Sequence, residues 1–150
     1  MTFANLLEML GRRLGLEIEN AGGAAALEID GKTVVLQDAG ELLLLRTVVG
    51  EVPKERREAF LASAMEANFL YRGTGGATLA VNPDDGMLHI HKYNWMERLD
   101  ADKVLDAVGR LADTAAVWQR ILDDFHAAPR EREAEDPGAA GPGHPHAILV

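Results

Sequence analysis

The segment Glu41 to Val49 reads ELLLLRTVV and is apolar at both strand parities. Leu43, Leu45 and Val49 fall on one side, and Leu42, Leu44 and Val48 on the other. A strand with one wet face alternates apolar and polar residues, so this segment predicts cover on both faces. A single small chain has few ways to supply that. It can build three layers, or it can lend one face to another molecule.

The neighbouring sequence gives the segment its partners. Ala25, Leu27 and Ile29 alternate up to Asp30-Gly31, and Thr33 to Leu36 follows. Asp-Gly between two strand-like runs is a strong hairpin signal. A second turn at Asp38-Ala39-Gly40 leads into the leucine-rich strand. Upstream, Phe3, Leu6, Leu7, Leu10 and Leu14 recur at helical spacing, predicting a helix over 3–16 with Thr2 as N-cap and Gly15 as stop. Downstream, Pro53 suits a first helical turn, and residues 54–71 predict a second helix with a wide apolar arc. Ala77, Leu79 and Val81 form a fourth strand, Asn82 to Gly86 a turn, and Met87 to Tyr93 a fifth strand. Asp100 caps a last helix whose stripe is Val104, Val108, Leu111, Ala115, Trp118, Leu122 and Phe125. The predicted fold is α+β in the order α-β-β-β-α-β-β-α: three helices on an antiparallel sheet of about five strands. Residues 1–127 form the domain. Residues 128–150 hold four of the six prolines and read as a flexible acidic tail ending in the apolar stretch Ile148 to Val150, which could occupy an apolar patch of a neighbouring chain.

Composition removes several function classes. The chain has 150 residues, a net charge of −9 and no cysteine. Thiolate nucleophiles, disulfides and cysteine-ligated zinc are excluded, and a reducing cytoplasm suits the chain. An acidic surface disfavours nucleic acid and anionic membranes as partners. The longest leucine run stops at Arg46, far short of a spanning helix. Ser63 is the only serine, and it sits between alanines in a helical stretch rather than on a nucleophile's turn.

The remaining chemical candidates each have a structural alternative. Gly73-Thr74-Gly75-Gly76 resembles a phosphate loop, but it closes a helix and opens a strand, the reverse of the order that aims helix N–H groups at an anion. It reads better as a helix cap and tight turn. His89 and His91 share a strand face and could hold zinc with a further ligand from Asp84, Asp85 or the tail's His144 and His146; a polar face or a dimer contact is the plainer reading. The acidic clusters read as solvated surface. Trp118 falls on the core stripe, whereas Trp95 lies in a link where it could pack on the sheet edge or stand exposed. What is left is surplus apolar surface, which fits a three-layer core, an obligate homodimer, or a dimer that also holds an extended apolar segment by edge-strand addition or in a groove.

The run Ala67-Asn68-Phe69-Leu70, Gly73-Thr74-Gly75-Gly76-Ala77-Thr78-Leu79 and Asn82-Pro83 resembles the class I type III secretion chaperones, the Tir chaperone family. The likeness spans about residues 3–125, including the Asp-Gly hairpin and Trp118 to Leu122. It implies a small acidic cytoplasmic bacterial homodimer with no enzymatic activity and no cofactor. Such a protein binds the N-terminal region of a secreted effector in extended form, keeps it secretion-competent and helps deliver it to the export ATPase. Carried onto this chain, the resemblance places the dimer interface at Phe60, Ala64, Ala67, Asn68 and Leu79. It places effector-binding patches at Leu7, Leu10, Leu14, Leu27, Ile29, Leu42 and Leu44. It implies no role for His89 to Lys92 or for the tail. An acidic binding surface would favour effectors with a basic N-terminal region. The competing readings are a dimeric peptide-binding adaptor unrelated to secretion and a small metal- or ligand-binding enzyme using His89 and His91.

Overall fold

The computed structural model describes residues 1–127. The tail expected over 128–150, with its two histidines and apolar end, lies outside the described residues. Three helices and five strands follow in the expected order: α1 (Phe3–Leu14), β1 (Ala24–Ile29), β2 (Lys32–Ala39), β3 (Leu42–Glu51), α2 (Arg57–Asn68), β4 (Thr78–Val81), β5 (Met87–Trp95) and α3 (Ala101–Ala127). The strands form one antiparallel sheet in the order β1-β2-β3-β5-β4.

Local chemistry sets the element ends. Thr2 Oγ1 accepts from the Asn5 N–H at 3.2 Å, and Asp100 Oδ1 accepts from the Lys103 N–H at 2.8 Å, so both outer helices carry side-chain N-caps. Gly15 ends α1 in the left-handed region at φ 69°. Asp30 and Gly31 both have positive φ, at 49° and 75°, the signature of a two-residue type I′ hairpin that sets Ile29 opposite Lys32.

Helix α3 lies across one face of the sheet. Val104, Val108, Leu111, Ala115, Trp118 and Leu122 are buried there against Val34, Leu36, Leu43, Leu45, Leu88 and Ile90. The approach is close at Gly50, where a Cβ would come within 3.1 Å of Leu122 Cδ1. Phe60 of α2 packs edge-on against Trp118 and Phe125 at ring separations of 6.3 and 5.3 Å.

Three expectations are corrected. The leucine-rich strand is covered on one face only: Leu43, Leu45 and Val49 are buried, whereas Leu42 and Leu44 are half-buried and Val48 is exposed. A single chain has no second layer to place there. The second helix is shorter than 54–71. It begins after Arg56, which sits at a positive φ of 57°, and gives way after Asn68 to a 3₁₀ turn at Phe69–Tyr71. Trp95 is not in a link but ends β5, paired with Leu42, and stands half exposed on the outer face.

Where α2 meets β4, two backbones nearly touch. A Cβ on Gly73 would lie 2.7 Å from Ala67 Cβ, and the Gly73 carbonyl accepts the Trp118 indole N–H at 2.9 Å. Gly73→Ala should therefore lower stability by about 1–3 kcal/mol through overpacking. The pair Ala67→Gly with Gly73→Ala should cost less than the sum of the two single changes, which thermal or urea unfolding can measure.

Candidate functional site

The sheet has two edges, and they differ. At β4 the Asn68 side chain accepts from the Leu79 N–H at 2.9 Å and donates to the Leu79 carbonyl at 3.0 Å. The carboxamide thus occupies the main-chain groups that Leu79 turns away from β5, as a neighbouring strand would. At β1 the type I′ turn makes Ile29, Leu27 and Ala25 the residues bonded to β2. The peptide groups of Ala26 and Glu28 therefore face outward.

A groove of about 850 Å³ runs along this open β1 edge. Both parities of β1 line it, from Ala24 to Ile29, so it wraps around the edge rather than over one face. The three consecutive alanines Ala24–Ala26 fill little of that volume. The walls come from Leu14, Leu16 and Ile18 on one side and from Leu105 and Val108 of α3 on the other. Gly11 makes the first wall possible: a Cβ there would stand 2.7 Å from the Leu16 carbonyl oxygen, so only glycine lets the chain fold back so tightly after α1. A second depression of about 580 Å³ continues along α1 past Leu7 and shares Leu16, Glu17 and Ile18 with the first. Glu17, Glu19 and Glu28 give the apolar groove an acidic rim.

Two further apolar surfaces are open. On the outer sheet face Leu42 and Leu44 sit opposite Trp95 and Tyr93, and Val48 lies beyond Arg46. Around the end of α2, Met65, Phe69, Leu70 and Tyr71 are each more than half exposed. Leu70 and Tyr71 hold positive φ of 52° and 55°, which costs non-glycine residues about 1–2 kcal/mol each.

Residues 5–119 match the Tir chaperone protein (CesT) family. The chain belongs to that family. Its activity is accordingly that of a type III secretion chaperone, exercised by binding and not by catalysis. Solved structures agree on the fold. A chain in the HopA1–SchA chaperone–effector complex superposes with a TM-score of 0.59 at 20% identity, covering 81% of this chain and 93% of that one. A chain in the ExsC–ExsE complex gives 0.62 at 20% identity, covering 79% and 91%. One in the ExoU–SpcU complex from the type III secretion system of Pseudomonas aeruginosa gives 0.59 at 18%, covering 78% and 93%. No match is found among curated protein sequences.

In this family member the expected effector-binding residues fall in three places. Leu14, Leu27 and Ile29 line the β1 groove and Leu7 lines its continuation. Leu42 and Leu44 lie on the outer face instead. Leu10 is fully buried in the core and offers no surface in this chain. Among the expected interface residues, Phe60, Ala64 and Leu79 are closed inside the protomer, Ala67 is half-buried against Gly73, and Asn68 spends its carboxamide on Leu79. The exposed residues near them are Met65 and Phe69–Tyr71, which no motif in the sequence marks as contacts. The same holds for Leu16 and Ile18, although the alternation Leu16-Glu17-Ile18-Glu19 is a readable signal of a one-sided apolar segment.

The chaperone's two strand histidines lie on the outer sheet face of β5, His89 buried there and His91 half-buried. His89 Nε2 lies 3.2 Å from Asp85 Oδ2, and the His91 ring stands edge-on to Tyr93. Among the described residues no group of three or more histidine or carboxylate side chains is placed to hold a metal. Desolvation, and secondarily the charge of His89, hold His91 below the ordinary histidine value. A depressed histidine adds stability above its unfolded pKa and loses it as the pH falls through the folded value. The melting temperature should thus fall on acidification below about pH 6.5, and His91→Gln should flatten that decline.

The edge geometry yields a second expectation. Asn68→Ala should cost about 1–3 kcal/mol, because two main-chain groups of Leu79 lose their partners. Urea unfolding checks it.

Proposed function

We propose that this chaperone works as a cytoplasmic homodimer that holds the N-terminal region of a secreted effector in extended, secretion-competent form and presents it to the export ATPase. The observation that carries the reading is the apolar groove around an open strand edge. An extended segment can add its backbone to Ala26 and Glu28 while its alternate side chains enter the groove. Burial at about 25 cal/mol per Å² drives the binding, and the ordering entropy of the segment demands a long contact. The acidic rim of Glu17, Glu19 and Glu28 favours a basic effector segment and hastens its encounter.

The α2 surface supports the dimer. Two large side chains held outward on strained backbone are stable company for a second copy, which would bury Leu70 and Tyr71 together with Met65 and Phe69. The interface then rests on Phe60, Ala64, Ala67, Asn68 and Leu79 from beneath. Leu70→Asn removes the apolar contact while tolerating the left-handed backbone. It should give a folded monomer by sedimentation; a dimer of unchanged affinity would count against this interface.

The groove is tested with an effector segment identified by co-purification from the native host. Ala26→Pro deletes an outward N–H that β2 does not use, a change an edge strand tolerates. Ala26→Pro and Leu16→Asp should each weaken effector binding by about tenfold or more, roughly 1.4 kcal/mol, with the fold intact. Association should also slow as salt is raised. Wild-type affinity in both variants would sink the groove assignment.

A further inference from the structure

The glycine loop that ends α2 has a second neighbour. Between Gly75, β5 and the middle of α3 lies a cavity of about 200 Å³. Its polar side chains are Thr74, Lys92, Asn94, Lys103, Arg110 and Thr114, and among the described residues no carboxylate lines it. Three cations around one small cavity are conspicuous in a chain of net charge −9.

The cations are not equally neutralised. Lys103 Nζ lies 2.9 Å from Asp100 Oδ2, and Arg110 pairs with Asp106, both carboxylates standing outside the cavity lining. Lys92 has no carboxylate partner among the described residues; its ammonium only approaches the Gly75 carbonyl, at 3.5 Å. Gly76 makes room for it, since a Cβ there would come within 3.1 Å of Lys92 Nζ. Two buried polar atoms of the lining residues, Thr74 Oγ1 and Asn94 Nδ2, have no hydrogen-bond partner among the described residues. Buried donors in native folds are normally satisfied. An ammonium with no carboxylate partner, in a cavity lined by two further cations, calls for an oxygen-rich acceptor of negative charge.

We propose that this cavity is a binding site for a small oxyanion, a phosphate-type ion or a carboxylate. Its volume lies below the ~300–1,000 Å³ of pockets that enclose drug-sized ligands. It suits an ion with part of its water and excludes a nucleotide. The helix-dipole objection to a phosphate loop here does not reach the site, because Lys92 comes from β5, Arg110 from the body of α3 and Lys103 from its first turn, where the dipole is positive. The loop supplies small residues that let the cations approach, rather than supplying the charge. The proposal is independent of the effector groove, which lies at the opposite edge of the sheet.

The test titrates the full chain with inorganic phosphate and, separately, acetate, exchanging each against chloride at fixed ionic strength. Amide chemical shifts of Thr74 to Ala77 and the melting temperature are read. The expected result is a saturable change in the loop amides and a raised melting temperature. Lys92→Met should weaken the apparent affinity by about tenfold or more, Lys92→Arg should largely keep it, and Lys32→Met on distant β2 should leave it unchanged. Saturation by phosphate alone assigns a phosphate-type ion, and saturation by acetate also assigns a carboxylate, such as that of an acidic side chain. Changes that never saturate, or that are the same in Lys92→Met, mean general ionic screening and overturn the proposal.

Discussion

The two hydrogen bonds between the Asn68 carboxamide and the Leu79 backbone decide how this sheet meets the rest of the world. A five-stranded open sheet has two edges, and each is a template for another strand. Here α2 ends at Asn68 beside β4 and closes that edge with a side chain. The closure depends on the tight contact below it, where Gly73 admits Ala67 and takes the Trp118 indole N–H on its carbonyl. With Leu79 capped in the middle of β4, β1 is the more open edge, where Ala26 and Glu28 turn their peptide groups outward and three alanines leave room beside them. One local arrangement thereby sets the polarity of the whole protomer.

The same asymmetry runs through the layers. Helix α3 covers one sheet face with a continuous stripe from Val104 to Leu122, and the opposite face keeps Leu42, Leu44, Tyr93 and Trp95 at its surface. The end of α2 adds Met65 and Phe69 to Tyr71, two of them on strained backbone. The protomer is thus well packed inside and apolar outside at defined places. Such surfaces suit a protein whose work is holding others.

Much of this was legible in the sequence because periodicity and capping are local. The Asp30-Gly31 hairpin, the Thr2 and Asp100 caps and the α3 stripe all depend on residues within a turn or two of each other. The double-faced β3 pattern was also legible as a demand for cover, but not as to what supplies it, since that depends on a layer the single chain lacks. The groove was only partly readable. Leu14, Leu27 and Ile29 carry their helix and strand signals, whereas Leu105 joins them through α3 packing that no local pattern encodes. Depth within the protomer was not legible: Phe60 and Leu79 look like contact residues in a motif, and in three dimensions they lie beneath the surface that Met65 and Phe69 present. The Gly73 to Gly76 loop shows the same limit, because Lys92 and Arg110 reach it from elements far away in sequence.

For this member of the Tir chaperone family, the question that matters most is which sheet edge takes the extended segment. Amide hydrogen exchange on the complex with its co-purified effector segment tests that choice directly. The account predicts new protection at Ala26 and Glu28 on binding, with the Leu79 amide already slow in the free protein and unchanged. Protection gained at the β4 edge, or none at β1 in a saturated complex, would contradict it.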